Sequence, residues 1–293
     1  MNKAAAALPA TRRYVLALLL VTLVWGATFP VLKRATAQLS GVEISALRFA
    51  LAAVFLLPWA WRAPRQTWRD GAGLGALVLF SYVAQAYGLE WISSNRSAFL
   101  TSLNVLLVPL FGMALGQPLV GRVLAAAALA CAGIGLMSWD GGANARGDGA
   151  SVVGAIAYAL YVMALSRRAA RHRPLALAAT QMVCMALLGG VWMLCDAAGS
   201  DRLATLPARL DRDTLLGLLY LGLVASALML WLQAWAQRHV AAAQAALIYS
   251  MEPVFAALFA WLWLAETLSW RAACGAAVVL AALWLSDWQT PQD

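Results

Sequence analysis

Apolar residues along this chain run in long blocks, broken by short clusters of charged, Gly or Pro positions. The blocks fall at 14–34, 42–61, 71–90, 97–116, 119–138, 149–168, 174–196, 213–236, 241–264 and 270–287. Each is near the ~20 residues that cross a bilayer as a helix at 1.5 Å per residue. The pattern predicts an all-α polytopic membrane protein of ten transmembrane helices. Most connectors are only a few residues long. The exceptions are the Gly-rich 139–148 and the segment 197–212, neither of which can hold a soluble domain.

Composition agrees with that reading. Of 293 residues, 63% are apolar and 12% charged, against about a quarter charged in soluble domains. The net charge of +8 sits in short clusters between apolar blocks, as topology signals do. It forms no basic stripe interleaved with aromatics, which excludes nucleic acid as a partner. More basic residues collect on the side that holds Arg12, Arg13, Arg62 and Arg167 than on the other, so both termini are expected in the cytoplasm. The first block follows two arginines but is long and lacks a small-residue cleavage site, which marks a retained helix. Short tails and no removable signal fit a bacterial inner membrane.

The two halves resemble each other. Gln85-Ala86-Tyr87 matches Gln233-Ala234-Trp235, and at the same offset Ser102 falls on Ser250 and Asn104 on Glu252. Earlier blocks align at a shorter offset that brings Trp25 near Tyr158. The division is then a tail at 1–13, a five-helix repeat at 14–138, a linker at 139–148, a second repeat at 149–287 and a tail at 288–293. An odd number of spans per repeat inverts one half relative to the other. Inverted repeats around a central cavity are an architecture of secondary transporters, with the substrate held near the midplane.

Glu252 lies about 11 residues into its block, roughly 16 Å deep at 1.5 Å per residue. A carboxylate there costs about 3 kcal/mol or more unless protonated, hydrated or paired. It either lines a cavity, binding a cation or exchanging a proton, or it serves structurally across helices or beside Pro253. Helical spacing puts Gln244, Ile248, Glu252 and Phe255 on one face. Arg48 is the other charge inside a block. Its options are to hold a substrate carboxylate with a two-pronged guanidinium, to snorkel outward, or to pair with Glu43.

Tyr82 with Gln85, Ser97 with Thr101 and Asn104, Trp25 with Phe29, and Tyr158 with Tyr161 form further same-face sets. Together they describe an aromatic-walled cavity for small amphipathic molecules, or alternatively ordinary interhelical packing. The expected cavity wall is Trp25, Tyr82, Gln85 and Asn104, with Tyr158, Gln244 and Glu252 from the second half. Pro30, Pro109 and Pro253 are candidate hinges. The spacing of Gly71 with Gly75 and of Gly112 with Gly116 permits close helix approach within the chain.

Chemistry of other kinds finds no motif. There is no nucleophile elbow, HExxH or phosphate-binding lysine loop, so no enzyme activity is expected and any transport is secondary or passive. The four cysteines, at 131, 184, 195 and 274, show no ligand or redox spacing. No cofactor or metal is expected. The partners implied are a small-molecule substrate and membrane lipid, with no obligate protein partner.

Leu23-Val24-Trp25-Gly26-Ala27-Thr28-Phe29-Pro30 resembles the first-helix pattern of the EamA branch of the drug/metabolite transporter superfamily. Leu47-Arg48-Phe49 is similar to that family's second-helix signature. Glu252-Pro253 followed by Leu264-Ala265-Glu266-Thr267-Leu268 is similar to the end of its second repeat. The first repeat departs by carrying Gln117 and Pro118 where Glu266 has its counterpart. The resemblance implies ten helices around a central cavity, alternating access, and export of small metabolites, amino acids with aromatic or large neutral side chains first. An uncoupled facilitator, an exporter of nucleobase-like metabolites or drugs, and a membrane receptor or scaffold are the alternatives.

Overall fold

A computed structural model of the protein describes residues 10–117, 120–138, 144–264 and 269–287. Every regular element among them is helical. Most of both tails, most of the 139–148 linker and the Ala265–Leu268 part of the family pattern lie outside these residues.

Several of the apolar blocks are broken rods. The first is α1 (Ala10–Gly26) and α2 (Thr28–Ala35), parted at Ala27. After α3 (Gly41–Trp61) and α4 (Arg65–Trp91), the fourth block is α5 (Ser94–Ser102) and α6 (Asn104–Ala114), parted at Leu103. Then come α7 (Gly121–Ser138), α8 (Ala145–Arg168) and α9 (Pro174–Asp196). The 197–212 connector folds a short exposed helix, α10 (Arg202–Arg209). The eighth block is α11 (Arg212–Leu219), a nine-residue π-helix at Tyr220–Leu228, and α12 (Met229–Ala236). The ninth is α13 (Ala242–Tyr249) and α14 (Glu252–Leu264), parted at Ser250 and Met251. Last is α15 (Trp270–Asp287).

Eight of these rods are long and apolar enough to cross a membrane, and α7 and α15 supply two shorter apolar helices. Capping sets several starts. Ser40 accepts from the Glu43 amide while Glu43 accepts from the Ser40 amide at 2.7 Å, a closed capping box on α3. Asn144 caps α8 and Asp211 caps α11.

The usual soluble arrangement is reversed in part. Large apolar side chains cover the outside, Trp61 being 83% and Trp284 63% exposed, while Gln181, Gln233 and Ser97 are buried. Such a surface is stable only against lipid. Small residues set a close crossing: a Cβ on Gly133 of α7 would stand 2.8 Å from the Gly275 carbonyl of α15. Elsewhere α3 packs along α9, and α4 along α8 and α9. Gly71 and Gly75 of α4 face Thr180 and Gln181 of α9, so that pair serves contact within the chain.

Both rims carry ionic clusters. At one, His172 lies 2.7 Å from Asp70 and 3.1 Å from Thr67, with Arg168 beyond. At the other, Arg209 grips Glu43 through two nitrogens at 2.7 and 2.9 Å, and Arg202 stands 3.4 Å away. Beside it Arg96 and Asp148 make a two-pronged pair at 2.6 and 2.7 Å, tying α5 to α8.

Candidate functional site

The centre of the bundle is aromatic. Trp25 of α1 packs edge-on to Tyr158 of α8, with ring centroids 6.1 Å apart, and lies 5.7 Å from Tyr249 of α13. Tyr158 also meets Tyr161 and Tyr249 at 5.7 and 6.1 Å. Gln233 of α12 stitches this cluster: its amide nitrogen donates to the Tyr158 hydroxyl at 3.1 Å, and its oxygen accepts from Tyr161 at 3.3 Å. The Tyr249 hydroxyl adjoins Gln233 outside regular hydrogen-bond geometry.

The π-helix is the second feature of this centre. Such segments are rare and concentrate at functional sites. Two side chains hold this one from neighbouring helices, and one of its own reaches back. Trp25 donates to the Ala225 carbonyl at 2.9 Å, Arg48 Nε donates to Ser226 Oγ at 3.0 Å, and Tyr220 donates back to the Val24 carbonyl at 2.7 Å. Ser226 in turn donates to Leu221, five residues earlier.

Arg48 is 3% exposed, so it does not snorkel. Nor does it pair with Glu43, whose carboxylate is taken by Arg209 and Arg202 at the rim. Its guanidinium carbon sits 4.7 Å from the Tyr82 ring centre and 5.0 Å from that of Phe49. Tyr82 is surrounded by protein yet only half-buried, and Glu252 shares that condition. Tyr82 lies within electrostatic reach of both Arg48 and Glu252, and Glu252 within reach of Tyr158 and Tyr249.

Glu252 makes no hydrogen bond or ion pair among the described residues, and it is the first residue of α14. Asn104 is the first residue of α6. Its amide nitrogen donates to the Thr101 carbonyl at 2.7 Å, while its side-chain oxygen is buried without a partner. Gln85 donates weakly to Thr101, at 3.4 Å. The two residues matched by the sequence offset therefore each open the second half of a broken rod.

Trp25, Tyr82, Tyr158 and Glu252 thus surround one centre, with Gln85 and Asn104 on the adjoining α4–α6 wall. Gln244 lies on α13, before the break at Ser250 and Met251 that separates it from Glu252, and its side chain makes no hydrogen bond among the described residues. Pro30 and Pro253 sit in the first turns after breaks, where a missing N–H is harmless, whereas Pro109 lies inside α6. Gln233, Tyr249 and Ser226 are central residues that residue pattern did not single out as wall. Only Gln233 left a signal, its match to Gln85 between the halves.

A multi-pass helical bundle with apolar outer faces and a polar, aromatic centre of broken helices is the construction of a membrane transporter. The model of the EamA-like transporter family matches twice, over residues 12–139 and 145–286, and the chain belongs to that family. Two relatives from Archaeoglobus fulgidus are each described as an uncharacterized transporter. One is 28% identical over 92% of this chain and 83% of its own length, the other 23% identical over 92% and 96%. A solved crystal structure superposes with a TM-score of 0.75 at 19% identity, covering 94% of this chain and 96% of the other. That likeness establishes the fold alone.

Proposed function

We propose that the protein is a secondary transporter that exports small amphipathic metabolites, amino acids with aromatic or large neutral side chains first, across the bacterial inner membrane. In this reading ten helices cross the bilayer as two inverted five-helix repeats with both termini in the cytoplasm. The double family match supports two repeats. The breaks at Leu103 and at Ser250–Met251, which fall at matched positions of the two halves, support it further.

The observation that carries the proposal is the pair Asn104 and Glu252. Each begins a half-helix beside the aromatic centre, and each keeps side-chain oxygen acceptors that none of the described residues uses. Discontinuous helices of this kind bind substrates and coupling ions in transporters. Trp25, Tyr82 and Tyr158 offer faces to an apolar substituent, and the Glu252 carboxylate meets an ammonium group or a proton. Alternating access follows when the bundles rock about this centre, the breaks and the helices with Pro30, Pro109 and Pro253 bending.

Radiolabelled flux in proteoliposomes, with a panel of amino acids and an imposed pH gradient, tests this. The expected result is saturable flux of aromatic or large neutral amino acids that responds to the gradient, the response vanishing in Glu252→Gln. Flux indifferent to the gradient in the wild-type protein assigns an uncoupled facilitator instead. Folded protein that moves no amino acid would refute the substrate class and turn the search to nucleobase-like metabolites and drugs.

A further inference from the structure

Arg48 is a cation inside the bundle with no ion pair among the described residues. Its Nε–H reaches Ser226, and that is its one hydrogen bond among the described residues. A guanidinium carries five N–H donors, so the four on the terminal amino groups are unused. Each amino group keeps a trace of accessible surface, although the residue as a whole is 3% exposed.

The acidic residues whose contacts are described are engaged elsewhere, apart from Glu252. Glu43 is held by Arg209, Asp70 by His172, Asp148 by Arg96, and Glu90 by the Gly41 amide. Arg48 is therefore held by Phe49 and Tyr82 rings and by Ser226, none of which neutralises it. These contacts fix the plane of the guanidinium and leave its two-pronged edge open. That edge matches a carboxylate, with two parallel N–H···O bonds.

We propose that Arg48 is the carboxylate-binding subsite of the transported molecule, seated on the π-helix through Ser226 and walled by Tyr82. This deepens the export reading and rests on it for the word transported. The substrate class becomes carboxylate-bearing molecules with an apolar or aromatic substituent. The substituent lies toward Trp25 and Tyr158, and an amino group, where present, toward Glu252.

Three probes that differ only in their charged groups test this on the purified full chain: L-phenylalanine, 3-phenylpropionate, which lacks the ammonium, and phenethylamine, which lacks the carboxylate. Binding is read by tryptophan fluorescence and thermal shift in nanodiscs. Phenylalanine and 3-phenylpropionate should bind the wild-type protein at least tenfold more tightly than phenethylamine. Arg48→Gln should erase that preference, and Arg48→Lys should restore it in part, a point charge without the fork. Phenethylamine binding as tightly as phenylalanine, or no carboxylate binding at all, overturns the subsite without recourse to any variant. A preference that survives Arg48→Gln overturns it as well. Arg48-dependent binding without flux in proteoliposomes keeps the subsite and refutes export, whereas phenylalanine flux unchanged in Arg48→Gln refutes the subsite and leaves export standing.

Discussion

Gln233 and Tyr158, 75 residues apart, are joined by a 3.1 Å hydrogen bond from the amide nitrogen to the phenol. The same amide accepts from Tyr161, so one side chain on α12 fixes two rings on α8. A rigid aromatic wall in lipid needs this arrangement, because a buried phenol without a partner is unfavourable and would turn elsewhere.

Replacing that amide tests the wall. Gln233→Leu keeps the volume and leaves both phenols without their partner, and should lower stability by about 0.6–2 kcal/mol. Substrate affinity should fall together with the melting temperature. Thermal unfolding in detergent alongside counterflow in proteoliposomes reads both. An unchanged melt would mean that the phenols find other partners.

The Glu43 carboxylate is 2% exposed and depends on Arg209. Arg209→Ala leaves it with Arg202 and the Ser40 amide, so the loss should fall short of the ~3–5 kcal/mol of a wholly orphaned buried charge. About 1–3 kcal/mol is expected. A cycle with Glu43→Gln should give a double variant less damaged than the sum of the singles. Strict additivity would remove the pair from the account of that rim.

Close approach at Gly133 makes a steric prediction. Gly133→Ala puts a methyl 2.8 Å from the Gly275 carbonyl and 2.9 Å from Val279, and should cost about 1–3 kcal/mol. Gly73→Ala, on the open side of α4 with nothing within 4 Å, should be neutral or stabilising. Melting curves of the two alanine variants decide whether the α7–α15 crossing requires glycine.

His239 links stability to pH. It stacks on Tyr14 with ring centres 4.0 Å apart, between α12 and α13. Although His239 is exposed, the desolvation that its ring does undergo, with Arg238 and Arg13 nearby, presses its imidazole below the ordinary value of 6.5. The unfolded chain then takes up the proton first. The stacked, neutral form is fully favoured above pH 6.5, and its contribution is lost as pH falls through the lowered folded-state value. Melting temperature should therefore decline gently over that acidic window, and His239→Gln should flatten the slope. A slope that persists in the variant assigns the effect to other groups.

Much of the site was readable residue by residue. Trp25, Tyr82, Tyr158 and Glu252 carry aromatic or charged groups at depth, which is unusual enough in an apolar block to stand out. Asn104 and Glu252 were paired by the internal offset before any geometry. The same reading aligned Gln244 with Glu252 and offered Glu43 to Arg48. The second fails because the Glu43 carboxylate is taken at the rim by Arg209 and Arg202, residues remote in the chain. A one-residue break at Leu103 or a π-helix at Tyr220–Leu228 hardly alters summed hydropathy, so neither leaves a mark in the apolar pattern.

The sequence by itself determined that this chain is a bundle of membrane-crossing helices in two similar halves. Each apolar block meets the transfer free energy of the bilayer independently, and a block's composition is local information. Only the tertiary structure decided that Gln233 bridges Tyr158 and Tyr161, that Arg48 rests on Ser226 with no ion pair among the described residues, and that Glu43 belongs to Arg209. In lipid, apolar side chains favour no particular helix neighbour. The choice falls to close fits such as Gly133 on Gly275 and to hydrogen bonds between residues far apart in the chain, and those exist only once the helices have met.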